Sequence, residues 1–136
     1  MITKENVGGD VPFNQYLGIE IVTIETGRVV IALDPRPEYL NSWQVMHGGI
    51  TMTMLDVALG SALRTTDPEL SSAISVELKT NFIAPGKGRI LAEGRVLHKG
   101  STISVCEGEA RDEAGVLLAK AVGTYTLHRK KDSGER

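Results

Sequence analysis

The sequence predicts an α+β domain in which one long central helix is wrapped by a roughly six-stranded antiparallel sheet. Three observations lead there. Over residues 48–65 apolar side chains recur at three- and four-residue intervals (Ile50, Met54, Val57, Ala58, and again Leu55, Leu59, Ala62), which is the period of a helix. Stretches on both sides are β-branched or alternating and are cut by Gly- and Pro-containing turns, the pattern of strands. No other segment sustains a long helical period. With 136 residues, 41% of them hydrophobic and 24% charged, the chain suits one domain over 1–136 with its own core.

The elements follow in order. Residues 1–11 read as a flexible arm jointed at Gly8-Gly9, and "VPFNQYLG" as a short helical turn between Pro12 and Gly18. "IEIVTIETGRVVIALDP" is a hairpin closing on Thr26-Gly27 and ended by Pro35 and Pro37. A loop through Tyr39, Asn41 and Trp43 leads to His47 and the long helix. That helix is apolar most of the way round, as expected of a buried one. Beyond Pro68 come four strands with turns at 85–88, 99–101 and 113–115, spaced as in an antiparallel meander. In the last strand Leu117, Ala119, Ala121, Gly123, Tyr125 and Leu127 share one face, and its small residues would let the helix lie close. A polar tail fills 129–136.

Several function classes are disfavoured. A net charge of −2 and a pI near 5.9 give no electrostatic reason to expect nucleic acid or an anionic membrane as partner. Cys106 is the single cysteine, so no intramolecular disulfide forms, and its mid-strand position is that of a small core residue. The N-terminus has no apolar signal-like run, and no stretch approaches the ~20 apolar residues of a membrane span. A cytoplasmic protein is expected. His47, His98 and His128 lack metal-ligand spacing, and no G-x-S-x-G elbow or phosphate-binding glycine loop occurs.

What stands out is "NSWQVMHGGITMTMLDVALGSALRT", residues 41–65. Its only charged helix residues are Asp56 and Arg64, and Asp56 falls among Met52, Gly60 and Leu63 instead of on a polar stripe. Burying an unpaired carboxylate costs several kcal/mol, so Asp56 needs either hydrogen-bond donors or a chemical task. Gly48-Gly49 begin the helix with backbone N–H groups that have no intrahelical partner, in a position to receive a developing oxyanion. Asp56 is eight residues past Gly48, ~12 Å along the axis. Both must come within ~3 Å of a reacting carbonyl if both act on it. One straight helix cannot do that, so the expectation is a homodimer whose two sites each take Gly48 from one chain and Asp56 from the other.

The pattern N-x5-H-G-G-x6-L-D-x3-G, as Asn41, His47-Gly48-Gly49, Leu55-Asp56 and Gly60, resembles the signature of PaaI-type thioesterases of the hotdog-fold superfamily. The strand-rich stretch from Ile74 to Tyr125 is similar to that family's second half, so the resemblance spans roughly residues 15–128. It implies hydrolysis of an acyl-CoA thioester to CoA and a free acid, with no metal or other cofactor, coenzyme A being part of the substrate. It further implies a homo-oligomer, dimer or dimer of dimers. Asp56 would be the nucleophile or the base that activates water, and the Gly48 amide would polarise the carbonyl. His47 and Asn41 would position the thioester, and Ser75 would orient water. Gly49, Trp43 and Met46 would contact substrate, the latter two lining an aromatic or a medium-chain acyl pocket. CoA phosphates would fall to Lys87, Arg89 or Lys99, with Gly100 and Ser101 in the adjoining turn. Two departures are visible: Gln44 stands where the family often has glycine, and Ser101 where many relatives have arginine. A hotdog hydratase or dehydratase, and a non-catalytic acyl-CoA-binding module, are the alternatives.

Overall fold

The computed structural model describes residues 2–130. Helix α1 (Pro12–Leu17) leads into the hairpin β1 (Glu20–Glu25) and β2 (Arg28–Leu33), then α2 (Gly48–Arg64), β3 (Leu70–Phe82), β4 (Ile90–His98), β5 (Ile103–Asp112) and β6 (Leu117–Arg129). The hairpin loop is Thr26-Gly27, with Gly27 at φ 79°, the left-handed conformation that tight two-residue loops demand. The strands form one antiparallel sheet in the order β1-β2-β4-β5-β6-β3. One central helix against six strands is the expected architecture.

The connectivity differs from a plain meander. Strands β4, β5 and β6 do run as a meander, but β3 pairs with β6 at the far edge instead of with β2. Helix α2 carries the chain across the sheet between β2 and β3, and β4 then fills the place beside β2. Turn spacing records how long each strand is, not which neighbour it finds, so this crossover leaves no local trace.

Helix α2 lies against the inner face of the sheet through Met54, Leu55, Ala58, Leu59, Ala62 and Leu63, all fully buried. Its opposite stripe of Gly49, Met52, Thr53, Asp56, Gly60 and Arg64 is only partly covered, so the helix is not buried all round. The helix backbone makes its closest approach over β4, not over β6: a Cβ on Gly94 would fall onto the Ala58 carbonyl and the Leu59 amide. One small residue of β6 serves a different end. A Cβ on Gly123 would meet the Tyr125 ring at 2.8 Å, so Gly123 makes room for that ring.

The segment expected to be a loose arm is packed. Glu5–Val7 form a 3-10 turn with Val7 buried, Ser61 Oγ donates to the Val7 carbonyl at 2.7 Å and Asn14 Nδ2 to the Gly8 carbonyl at 3.1 Å. Gly8, at φ 93°, ends the turn and is a cap, not a joint. Arg129 belongs to β6; residues 131–136 of the expected tail lie outside the described residues. No helix among the described residues is long and apolar enough to cross a membrane.

Two outcomes follow from this packing. Gly94→Ala must push α2 off the sheet and is expected to cost at least about 3 kcal/mol, read by chemical denaturation. Cys106 is buried, and burial pushes its thiol up to about 12 from an ordinary 9.0. The folded chain therefore holds this proton more tightly than the unfolded one. The resulting stability is complete below pH 9.0 and is lost as pH rises toward about 12. Melting temperatures measured across that range should fall less steeply for Cys106→Ala than for wild type.

Candidate active site

The N-terminus of α2 is built by the loop before it. Asn41 Oδ1 accepts the amides of Trp43 at 2.9 Å and Val45 at 3.4 Å, closing an Asx-type turn. Within it Gln44 sits at φ 61°. A glycine would adopt that left-handed conformation freely, and Gln44 adopts it at a cost of about 1 kcal/mol. Gln44, standing where the resemblance leads one to expect glycine, thus holds a conformation that glycine favours.

His47 caps the helix. Its Nδ1 accepts the Gly49 amide at 2.9 Å, and its carbonyl accepts the amides of Ile50 at 2.9 Å and Thr51 at 3.3 Å. That accounts for every N–H of the first turn except one. The Gly48 amide donates to no described residue. The cap therefore corrects one expectation: the Gly49 amide is occupied by His47, and Gly48 alone offers a donor. Gly48 opens into a cleft of 330 Å³ with Asn41, Met46, Phe82 and Pro85. A Cβ there would stand 3.2 Å from the Phe82 ring, so only glycine leaves the amide open to this cleft.

Two turns further on, Asp56 is half-buried and hydrogen-bonded twice through one oxygen. Ser75 Oγ in β3 donates to Oδ1 at 2.6 Å and the Tyr125 hydroxyl in β6 at 2.9 Å. Its other oxygen, Oδ2, has no partner among the described residues. Tyr125 is 1% exposed, with Gly60 and Gly123 flanking its ring. Burial, and next the Asp56 charge beside it, raise the phenol far above its ordinary value, so it stays a donor at any working pH. Asp56 faces a cleft of 300 Å³ with Met52, Thr53, Ser75 and Leu78. A second cleft, of 420 Å³, continues along α2 past Gly60 to Arg64.

The expected site residues thus separate into groups. Asn41, Met46 and Gly48 line one cleft and Asp56 with Ser75 another. Tyr125, which the sequence placed on the right face without a role, completes the second. Trp43 is 83% exposed and lines neither cleft. Arg89 is not free for a phosphate, since Glu20 at 2.7 Å and Asp34 at 3.0 Å hold its guanidinium. Lys87 is exposed beside the Pro85-Gly86 wall of the Gly48 cleft. Lys99, Gly100 and Ser101 sit past the other end of β4, ~30 Å from Lys87 at strand rise, and share no cleft with Gly48 in one chain. A Cβ on Gly100 would strike the Ile103 carbonyl, and its amide donates to Ser104 Oγ at 3.0 Å, so this glycine shapes the turn. Among the described residues no cluster of His, Cys, Asp and Glu could hold a metal ion.

An unpaired amide at a helix start and a carboxylate aimed by two hydroxyls are parts suited to acyl transfer. The thioesterase superfamily model matches residues 44–119, the segment that carries both. The chain belongs to the thioesterase superfamily. It is 37% identical over 118 residues, 86% of this chain and 84% of the other, to a provisionally named esterase of Saccharolobus solfataricus. It is 29% identical, over 85% of each chain, to the medium/long-chain acyl-CoA thioesterase YigI of Escherichia coli K12. Among solved structures, a thioesterase family protein of Silicibacter pomeroyi superposes with a TM-score of 0.85 at 26% identity, covering 92% of this chain and 97% of that one. The E. coli PaaI protein does so at 0.83 and 22% identity, covering 91% and 89%, a likeness of fold.

Tyr125→Phe keeps the ring and removes only the donor. It is expected to cost about 1.5 kcal/mol, as a hydrogen bond to a charged acceptor. Because Ser75 and Tyr125 share Oδ1, the double mutant with Ser75→Ala should depart from additivity by more than about 0.5 kcal/mol in a denaturation cycle.

Proposed function

We propose that the protein hydrolyses acyl-CoA thioesters at two composite sites of a homodimer. The carrying observation is that the open Gly48 amide and the aimed Asp56 carboxylate belong to one helix yet face separate clefts, ~12 Å apart along the axis. Brought together from two chains, they form a complete site. The Gly48 amide takes the thioester oxygen as it gains charge. Asp56 Oδ2, its other oxygen held by Ser75 and Tyr125, accepts a proton from the attacking water. Carbon–sulfur cleavage then releases the acid, and the same proton passes to the departing thiolate. A mere acyl-CoA-binding module has no use for a carboxylate oriented in this way.

Strand β3 favours the pairing. It is thirteen residues long, bonds to β6 along one edge only, and exposes Ile74 and Val76. A bare edge of this length invites another strand. A two-fold axis between Leu78 and Lys79 would set Phe82, which covers Gly48, opposite Ser75, which binds Asp56. Two antiparallel β3 strands would then make the sheet continuous and bring each Gly48 toward the partner's catalytic acid. The likeness to an acyl-CoA thioesterase supports the substrate class.

Thiol release over a panel of acyl-CoAs tests the chemistry. Asp56→Ala is expected to fold and to lose nearly all turnover, and Asp56→Asn to fold but act slowly. Gly48→Pro tests the amide: proline suits the first helical position, His47 before it is already extended at ψ 135°, and the donor is lost while the Phe82 ring must give way by a few tenths of an ångström. Composite sites make a sharper demand. Mixed Gly48→Pro and Asp56→Ala chains, each nearly inactive alone, should regain roughly a quarter of wild-type activity, since half the dimers are mixed and each of those has one intact site. Full activity in a monomer would sink the composite site.

A further inference from the structure

The cleft that runs from Asp56 along α2 ends on an arginine, Arg64, that no described residue pairs with. Arg64 follows Asp56 by eight residues, on the same open stripe of the helix, ~12 Å along the axis. The cleft between them is walled by Val11, Phe13, Val57 and Ala73 and floored by Gly60. Beside Asp56, Ser72, Ser75 and Tyr125, three of its polar side chains are turned to backbone carbonyls. Thr53 donates to the Gly49 carbonyl, Asn14 to that of Gly8 and Ser61 to that of Val7. Arg64 forms no ion pair or hydrogen bond with the described residues, and its Nε is enclosed without an acceptor. An enclosed N–H left unmatched costs about 1–3 kcal/mol, so the arrangement asks for a missing partner.

Its place in the last turn accounts for a cation near a helix C-terminus. That alone would be satisfied by a side chain reaching wholly into water, and it does not explain an Nε–H enclosed without an acceptor. Burial lowers its affinity for a proton and Asp10 supports the charge from a distance, yet a guanidinium remains charged. A purely hydrocarbon chain in this cleft would leave the enclosed Nε–H unmatched.

We propose that Arg64 is the specificity residue of the acyl cleft and selects acyl groups whose far end carries an oxygen acceptor, a carboxylate best of all. This rests on the thioesterase reading above, because the thioester must lie at Asp56 for the far end of the acyl group to reach Arg64. The leaning of helical side chains toward the N-terminus shortens the gap, so a chain of medium length would span it. A planar guanidinium binds a carboxylate through two parallel hydrogen bonds, which a lysine does not reproduce.

The test compares matched pairs of CoA esters that differ only in a terminal carboxylate, such as octanoyl-CoA and suberyl-CoA, over several chain lengths. Wild type should favour the carboxylated member of one pair by at least about tenfold in kcat/KM. Arg64→Met, similar in length but uncharged, should lose that preference while hydrolysing the plain member as fast or faster. Arg64→Lys should recover it only in part. Turnover of the plain ester by the variant shows that the fold and the chemistry at Asp56 are intact. If wild type prefers the plain member at every length, or if Arg64→Met leaves the ratio unchanged, the assignment of Arg64 is wrong and the thioesterase reading stands. If wild type cleaves no CoA ester of the panel, the thioesterase reading itself falls, and this inference with it.

Discussion

The seating of α2 on the sheet is the constraint from which the rest follows. At Gly94 the helix backbone lies so close to β4 that no side chain fits between them. A helix held at that depth brings its Asp56 stripe within hydrogen-bond reach of β3 and β6, the strands beyond β4 and β5. A hydroxyl of Ser75 is short, and it spans to Asp56 only because the helix lies low. Tyr125 is long, and it fits the same space only because Gly60 and Gly123 leave room for its ring. Raising the helix by a methyl group would loosen both contacts together.

The two hydroxyls answer the energetic problem set by an acid on a mostly apolar helix. A half-buried carboxylate without donors is costly, and donors to its charged form reduce that cost. Here both fall on one oxygen, so stabilising the charge also fixes the orientation of the group and leaves Oδ2 unengaged. The same principle acts at the helix start in reverse. His47 satisfies Gly49, Ile50 and Thr51, and the one N–H left over is aimed at a cleft. At both places the fold satisfies almost every polar group, and the single exceptions coincide with the features that suit chemistry.

Much of this was legible in the sequence, for identifiable reasons. The helix, the hairpin and the strands announce themselves by period and turn residues, which depend on neighbours along the chain. Asp56 is conspicuous as a lone carboxylate among apolar residues, and Gly48 because a glycine pair at a helix start has few structural uses. What escaped depends on distant partners. The passage of β3 to the far edge is decided by where α2 delivers the chain. Tyr125 lies 69 positions from Asp56, and a tyrosine on the inner face of a strand ordinarily reads as core. That His47 occupies the Gly49 amide requires its rotamer, and that Arg89 is held by Glu20 and Asp34 requires tertiary structure. The packing of Val7 against α2 was hidden by Gly8-Gly9, residues that suit a turn as well as a joint.

Helix geometry gives a last reason for two chains to share a site. Within one chain the amide and the carboxylate could meet at a single carbonyl only if α2 were broken between them, and a break would expose backbone groups and surrender the contact at Gly94. The proposed second copy would avoid both costs, because an antiparallel helix would offer its acid where the first offers its amide. The long bare edge of β3 would supply the pairing with its own backbone, whose groups already lie in register for a sheet. A strand so placed touches both halves of the chemistry, Phe82 over Gly48 and Ser75 on Asp56. Assembly at that edge would therefore complete the sites and remove the edge in the same step.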